Sequence, residues 1–151
     1  MRVLQAEDTI NGAEGTATAV IDGRVVELFV VKELTATLDL TKSDVRTLGN
    51  RATQKKVTGW SGTGTMTVYF VTSRWAKMAI NYIKTGKIKK FDINIKNEDP
   101  SSSVGKQVSK LSKCLIDGTD IAKLNVDSDA LDQSVNFTFE DADLLNEFEE
   151  I

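Results

Sequence analysis

The chain has 151 residues, with 19 basic and 22 acidic side chains, no histidine, one cysteine, one proline and a formal net charge of −3. That length fits one domain with a core of its own. The missing histidine excludes Ser-His-Asp and Cys-His catalysis and imidazole zinc sites, and the lone Cys114 excludes an intrachain disulfide or a CxxC metal site.

Residues 1–12 carry no periodicity and are expected to form an arm. A strand is expected over residues 16–22, a tight turn at Asp22-Gly23, and a long answering strand over residues 24–40. In that strand Val26, Leu28, Val30, Leu34, Ala36, Leu38 and Leu40 share one face, with Glu27, Glu33, Thr35, Thr37 and Asp39 on the other. Lys32 interrupts the apolar row, which points to a bulge or a change of sheet at Lys32-Glu33. Residues 41–56 hold too few apolar side chains for a core element. The segment is either a mobile surface excursion or, as the long flanking strands favour, an extended hairpin that orders against a neighbour.

The next stretch, TGWSGTGTMTVYFVTS, alternates. Met66, Val68 and Phe70 point one way, and Thr63, Thr65, Thr67 and Tyr69 the other, so one face seeks a core and the other is rich in hydroxyls. Gly59, Gly62 and Gly64 precede a strand rather than a helix, so they make no phosphate cradle; their expected role is to admit a close backbone or to bend the strand. Trp60, flanked by such residues, is expected either at a subunit contact or under the adjacent loop. A helix follows, with Ser73 as N-cap, Trp75, Met78, Ala79, Tyr82 and Ile83 at helical spacing, and Gly86 as its stop. Strands are then expected over residues 89–96, with Phe91, Ile93 and Ile95 inward, and over residues 108–116, ending in a second Asp-Gly turn at Asp117-Gly118. Cys114 reads as a small apolar residue at the end of that strand. Further strands are expected over residues 121–126 and 134–140. The predicted fold is mainly β: two packed antiparallel sheets forming a sandwich or barrel, with one flanking α-helix, as a single domain over residues 1–151.

Charge is segregated. Residues 42–113 hold 15 of the 19 basic side chains and 4 of the 22 acidic ones, while the final segment, residues 140–151, is acidic with no basic residue. The separation reads as solvated faces, as a basic middle that meets the acidic flanks of another copy, or, with less support, as a nucleic-acid surface. Against the last, no exposed aromatics interleave the cations and no nucleic-acid motif is present. Asp127, Asp129 and Asp132 lack the glycine and terminal glutamate of a calcium loop, and no metal, cofactor or catalytic site is expected. The start of the chain has no apolar run of signal-peptide length, and no segment approaches the roughly 18 apolar residues of a membrane span. The expectation is a soluble protein made in the cytoplasm, without membrane insertion.

Three collinear pieces, AEDTINGAEGTATAVIDG, TGWSGTGTMTVYFVTS with its helix, and IAKLNVDSDALDQSVNFTFEDADLL, span nearly the whole chain. They resemble the tail tube proteins of contractile phages, of PBSX-type prophages and of tailocins, which are related to the type VI secretion tube protein. The resemblance implies two packed sheets plus a helix, six copies closing into a ring, and rings stacking into a hollow tube inside a sheath. It implies as partners further copies of the chain, the sheath, and tape-measure, baseplate and terminator proteins, with DNA only as passing cargo. It also implies that the arm of residues 1–12 and the extended loop of residues 41–59 meet the adjacent ring, with Arg46, Arg51, Lys55, Lys56 and Trp60 as the contact set. One polar strand face, either Thr35, Thr37 and Asp39 or Thr63, Thr65 and Thr67, is expected to line the lumen. Glu147, Glu149 and Glu150 are the expected contacts to sheath or ring, with Leu144, Leu145 and Phe148 anchoring their segment. The alternative is a monomeric β-barrel that binds a small ligand or an oligosaccharide.

Overall fold

The computed structural model describes residues 3–28, 31–127 and 129–150. Val30 of the apolar row, the first two residues of the arm and the last residue of the acidic segment lie outside the described residues. The elements are a 3-10 turn (Ala6–Asp8), β1 (Gly15–Ile21), β2 (Arg24–Glu27), β3 (Val31–Val45), β4 (Gln54–Tyr69), α1 (Arg74–Thr85), β5 (Phe91–Glu98), β6 (Lys106–Thr119), β7 (Asp132–Phe139) and β8 (Asp141–Asn146).

The strands form one antiparallel sheet in the order β2-β1-β5-β6-β7-β4-β3, with β8 added on β6. Strand β6 is the fold line. Its first part pairs with β5 and β8, and its last part, from Leu115, pairs with β7. At the joint Lys113 takes φ +54, a left-handed conformation that a lysine rarely adopts, and its N–H donates to Asp92 Oδ1 at 3.1 Å. The sheet therefore folds into two packed halves sharing β6, the sandwich-like arrangement that the alternation predicts. One core lies between the halves. Ala19, Ile93 and Leu111 from one side meet Met66, Val68, Val135 and Phe137 from the other. Cys114 is fully buried at the joint, where loss of solvation pushes its thiol up to about 12.

Local chemistry explains most of the path. Asp22 and Gly23 both have positive φ, 53° and 76°, as the two-residue hairpin of β1 and β2 requires. Between β2 and β3 the chain changes halves, and the β3·β4 register shifts between Val31 and Glu33, so Lys32 is the bulged residue, as the interrupted apolar row predicts. Residues 41–56 are mostly strand: β3 and β4 stay paired out to Val45 and Gln54, and only residues 46–53 form the loop. Helix α1 buries Trp75 and Met78, and Trp75 lies 5.5 Å from Phe91 between ring centroids. Gly86 ends the helix in the left-handed conformation, φ 72°, donating to the Tyr82 carbonyl.

Three local expectations are corrected. Ser73 holds the N-cap position without a side-chain hydrogen bond; Thr72 Oγ1 accepts from the Arg74 N–H at 3.3 Å instead. Asp117-Gly118 is not a turn but lies inside β6 at a register shift against β7. Residues 121–126 are irregular rather than a strand, with Leu124 and Val126 almost wholly exposed.

Candidate assembly surfaces

The β3·β4 register places Thr35 opposite Thr65, Thr37 opposite Thr63, and Asp39 opposite Ser61. The two runs between which the sequence leaves a choice are thus cross-strand partners on one face. Strand β7 extends that face, with Thr138 beside Thr63, Asn136 beside Thr65 and Ser134 beside Thr67. Thr65 Oγ1 lies 3.2 Å from Asn136 Oδ1, a bond the threonine hydroxyl donates. Glu33 and Asp39 are the only charges among these positions, and no cation is. Lys32 stands at the bulge beside this face, but its ammonium is 3.1 Å from Asp132 Oδ2, and Lys123 reaches the other oxygen at 3.5 Å. The Lys32 contact raises the lysine pKa and lowers that of Asp132. The face offers hydroxyls, amides and the carboxylates of Glu33 and Asp39 to whatever lies before it, and at its Tyr69 end the Asp132 carboxylate with Lys32 paired to it.

The reverse face of the same strands holds the core and then runs past it. Leu34 lies opposite Met66, Ala36 opposite Gly64, Leu38 opposite Gly62 and Leu40 opposite Trp60. A Cβ on Gly62 or Gly64 would fall within 3.0 Å of three ring atoms of Phe139 or Phe137, respectively. The glycines therefore admit the aromatic rings of β7 rather than another backbone or a bend. Further out, Leu38, Leu40 and Val57 are each about half exposed in the isolated chain, at 50%, 53% and 51%. Trp60 is 42% exposed and sits 6.1 Å from the Phe139 ring, at the base of the projecting hairpin.

The hairpin carries the rest of the expected contact set. Arg46 and Arg51 flank the tip, Lys56 lies opposite Ser43, and Lys55 is ion-paired with Asp44 across the strands. Asn50 N–H donates to the Thr47 carbonyl at 3.4 Å, and Gly49 takes φ +83, so the tip is a turn that displays Leu48 to solvent.

A family model described as phage tail tube protein matches residues 2–146. The chain belongs to that family. It is 39% identical over 141 residues to the phage-like element PBSX protein XkdM of Bacillus subtilis (strain 168), covering 93% of each chain. An uncharacterised protein of the same organism, YqbM, is similar to the same degree, 39% over 141 residues and 93% of each chain. Among solved structures, a chain of the extended-state sheath–tube complex of an extracellular contractile injection system, PVC, matches with a TM-score of 0.70 at 14% identity, over 92% of this chain and 93% of that one. The SPP1 tail tube matches with a TM-score of 0.66 at 11% identity, over 94% and 81%. These likenesses show a shared fold.

In this tail tube protein the acidic end of the chain is an edge strand. Asp141, Asp143 and Leu144 pair with Ser112, Lys110 and Ser109 of β6, and the Glu149 N–H donates to the Val104 carbonyl at 2.8 Å. Glu147, Glu149 and Glu150 are all exposed; Leu144 and Leu145 are exposed too, and Phe148 is half-buried. The arm docks on the same region. Ser103 Oγ donates to Asp8 Oδ1 at 2.5 Å, the Ser103 N–H donates to the Glu7 carbonyl at 2.9 Å, and the Asn11 N–H donates to Asp99 Oδ2 at 2.9 Å. Asp8 and Asp99 are buried, and hydrogen bonds from Ser101 and Asn11 hold the Asp99 carboxyl below its usual range. The sequence gives no hint of these long-range bonds. The alternation assigns Leu38 and Leu40 to the core-facing row of β3, but in the structure the core ends before them and both are about half exposed.

Proposed function

We propose that copies of this chain close head to tail into hexameric rings, and that the rings stack as the inner tube of a contractile particle, a phage or a phage-tail-like bacteriocin. The observation that carries the reading is the two-faced β3–β4 hairpin. One face is a continuous polar carpet shared with β7; the other is an apolar stripe that outruns the core and stays exposed in a single chain. Strand β3 has 15 residues and pairs only with β4 among the described residues, so its outer edge is a long unpaired ladder. Such an edge invites aggregation unless another strand covers it, and a heterologous contact that closes covers every copy's edge alike.

In this arrangement the polar face of β3, β4 and β7 lines the lumen. Affinity for a nucleic-acid backbone grows with each cation that meets a phosphate, so a face of hydroxyls and carboxylates, whose neighbouring Lys32 and Lys123 are tied to Asp132, lets DNA slide. Residues 1–12 and the hairpin of residues 41–59 meet the adjacent ring. The acidic segment, residues 140–151, stays outside the core on the outer wall or the seam, because burying unpaired carboxylates costs several kcal/mol each, in rough terms. The contractile setting draws support from the PBSX relative and from solved chains of similar fold in sheath–tube, baseplate and cap assemblies. Sheath, terminator, baseplate and tape-measure proteins are the partners of such a tube, and its role is structural rather than enzymatic.

Light scattering coupled to size separation, at rising protein concentration, tests the proposal. A sixfold multiple of the protomer mass followed by rods is the expected result. A protein that stays monomeric at every concentration would instead support the ligand-binding β-barrel.

A further inference from the structure

Resting on the stacked-ring reading, we propose that the exposed second half of α1 is a docking surface, and that its occupant is the acidic C-terminal segment of a second copy of the chain in the next ring. The helix outruns the core it covers. Trp75 and Met78 are buried, but the same apolar stripe continues to Tyr82, with Ile83 beside it, and these are 54% and 73% exposed. Every residue from Asn81 to Lys90 is exposed, and the helix contains no acidic residue. Lys89 is paired with Asp22 and Lys90 with Glu140, whereas Lys84 and Lys87 are in no ion pair among the described residues.

The acidic segment has the complementary make-up. Leu144 and Leu145 are 53% and 59% exposed, although β8 is paired with β6 along one edge. The nearby cations of β6 are already answered: Lys110 stands opposite Asp143 across that pairing, and Lys106 acts on Glu98. Glu147, Glu149 and Glu150 follow β8 with no ion pair among the described residues and no basic residue in their segment. The surplus is therefore negative beside two exposed leucines, matched to free lysines beside Tyr82 and Ile83. Apolar contact supplies the buried area of such a joint, and the opposite charges set its register.

Position on the fold supplies the direction. The hairpin tip precedes the first residue of β4, and α1 begins soon after its last, so they lie at opposite ends of a strand of 16 residues. At about 3.3 Å per residue that strand spans roughly 50 Å. The acidic segment is on the hairpin's side. Leu144 and Leu38 line one cleft at the hairpin's base, and Glu149 is held by Val104, next to the Ser103 that holds the arm. Complementary patches at opposite ends of the molecule make a heterologous contact that repeats without closing, which is what a stack of rings needs.

The test compares assembly at two levels in the full-length protein, without sheath. Lys84→Glu with Lys87→Glu, and separately Glu147→Lys with Glu149→Lys, are expected to leave rings intact by light scattering and to shorten rods by roughly tenfold or more by electron microscopy. Combining all four substitutions restores rod length. Rods of normal length from either pair, loss of the rings themselves, or no recovery in the combination would overturn the docking of segment on helix. Absence of rings or rods from the unaltered protein would overturn the stacked-ring reading instead. A covalent trap reads the contact directly. Ile83→Cys and Leu145→Cys proteins, mixed under conditions that give rods and mildly oxidised, should yield a disulfide-linked pair that neither forms alone, because Cys114 is buried. Rods without a linked pair would refute the contact.

Discussion

The glycines of β4 allow a test of the core with a magnitude attached. Gly64 lies directly opposite Phe137, which is 1% exposed and packed between the two halves of the sheet. A Cβ at this position would meet three atoms of that ring at under 3.0 Å, and a ring held on all sides cannot swing away. Overpacking of this kind costs about 1–3 kcal/mol. Replacing glycine in a strand also restricts the unfolded chain, which offsets about 0.5–1 kcal/mol of the loss. Gly64→Ala is therefore expected to destabilise the monomer by about 1–2 kcal/mol, a drop of roughly 2–8 °C in Tm for a domain of this size. Adding Phe137→Leu makes room for the methyl, so the double variant should be less destabilised than the sum of the single ones by at least about 0.5 kcal/mol. Urea unfolding followed by tryptophan fluorescence, at concentrations below assembly, measures each term. A Gly64→Ala protein as stable as the parent, or strict additivity in the pair, would refute the close approach of ring and backbone.

Four further outcomes are expected. Thr37→Lys and Thr65→Lys, which fall on the same face, should both permit tubes and slow DNA passage in a phage, with the effect fading as salt rises; normal passage in both would place the lumen elsewhere. Amide exchange over residues 46–53 should be fast in the monomer and slow in the tube, and equal rates in both would make the tip a bystander. Neutralising Glu147, Glu149 and Glu150 should spare folding and weaken binding to sheath or to the neighbouring ring, read by co-sedimentation at low and moderate salt. Hydrogen bonds from Ser101 and Asn11 hold the Asp99 carboxyl below the ordinary aspartate range, so the stability it lends to arm docking is complete above that range and is lost as pH falls through the depressed pKa. Protection of the Asn11 amide should fall with it, and protection unchanged at the acid end would show that Asp99 does not hold the arm.

Local signals in the sequence were dependable where both partners of a contact were close in the chain. Asp22-Gly23 turns because β1 and β2 pair with each other across it. The same dipeptide at Asp117-Gly118 does not turn, because that part of β6 is paired with β7 and continues as strand. Lys32 was legible as a break since a charged side chain cannot occupy an apolar row, and the structure puts the change of halves there. The purpose of Gly62 and Gly64 was hidden because Phe139 and Phe137, which lie across from them, come more than 70 positions later in the chain. Register also merged the two candidate polar runs into one face, which no alternation within a single strand reveals. Residues 121–126 carry strand-like apolar residues but pair with no strand among the described residues, so they remain irregular, with Leu124 and Val126 in solvent. The outer leucines of β3 follow the same logic: their pattern belongs to a sheet, and their cover is not in the single chain.

Cryo-electron microscopy of the assembled protein tests the central claim most directly. The account predicts a hollow tube of six-fold rings whose inner wall is the face of β3, β4 and β7 carrying Thr37, Thr65 and Asn136, with α1 away from the lumen. A tube whose channel is lined by α1 or by the lysine-rich segment after it, with that polar face buried or turned outward, would contradict it.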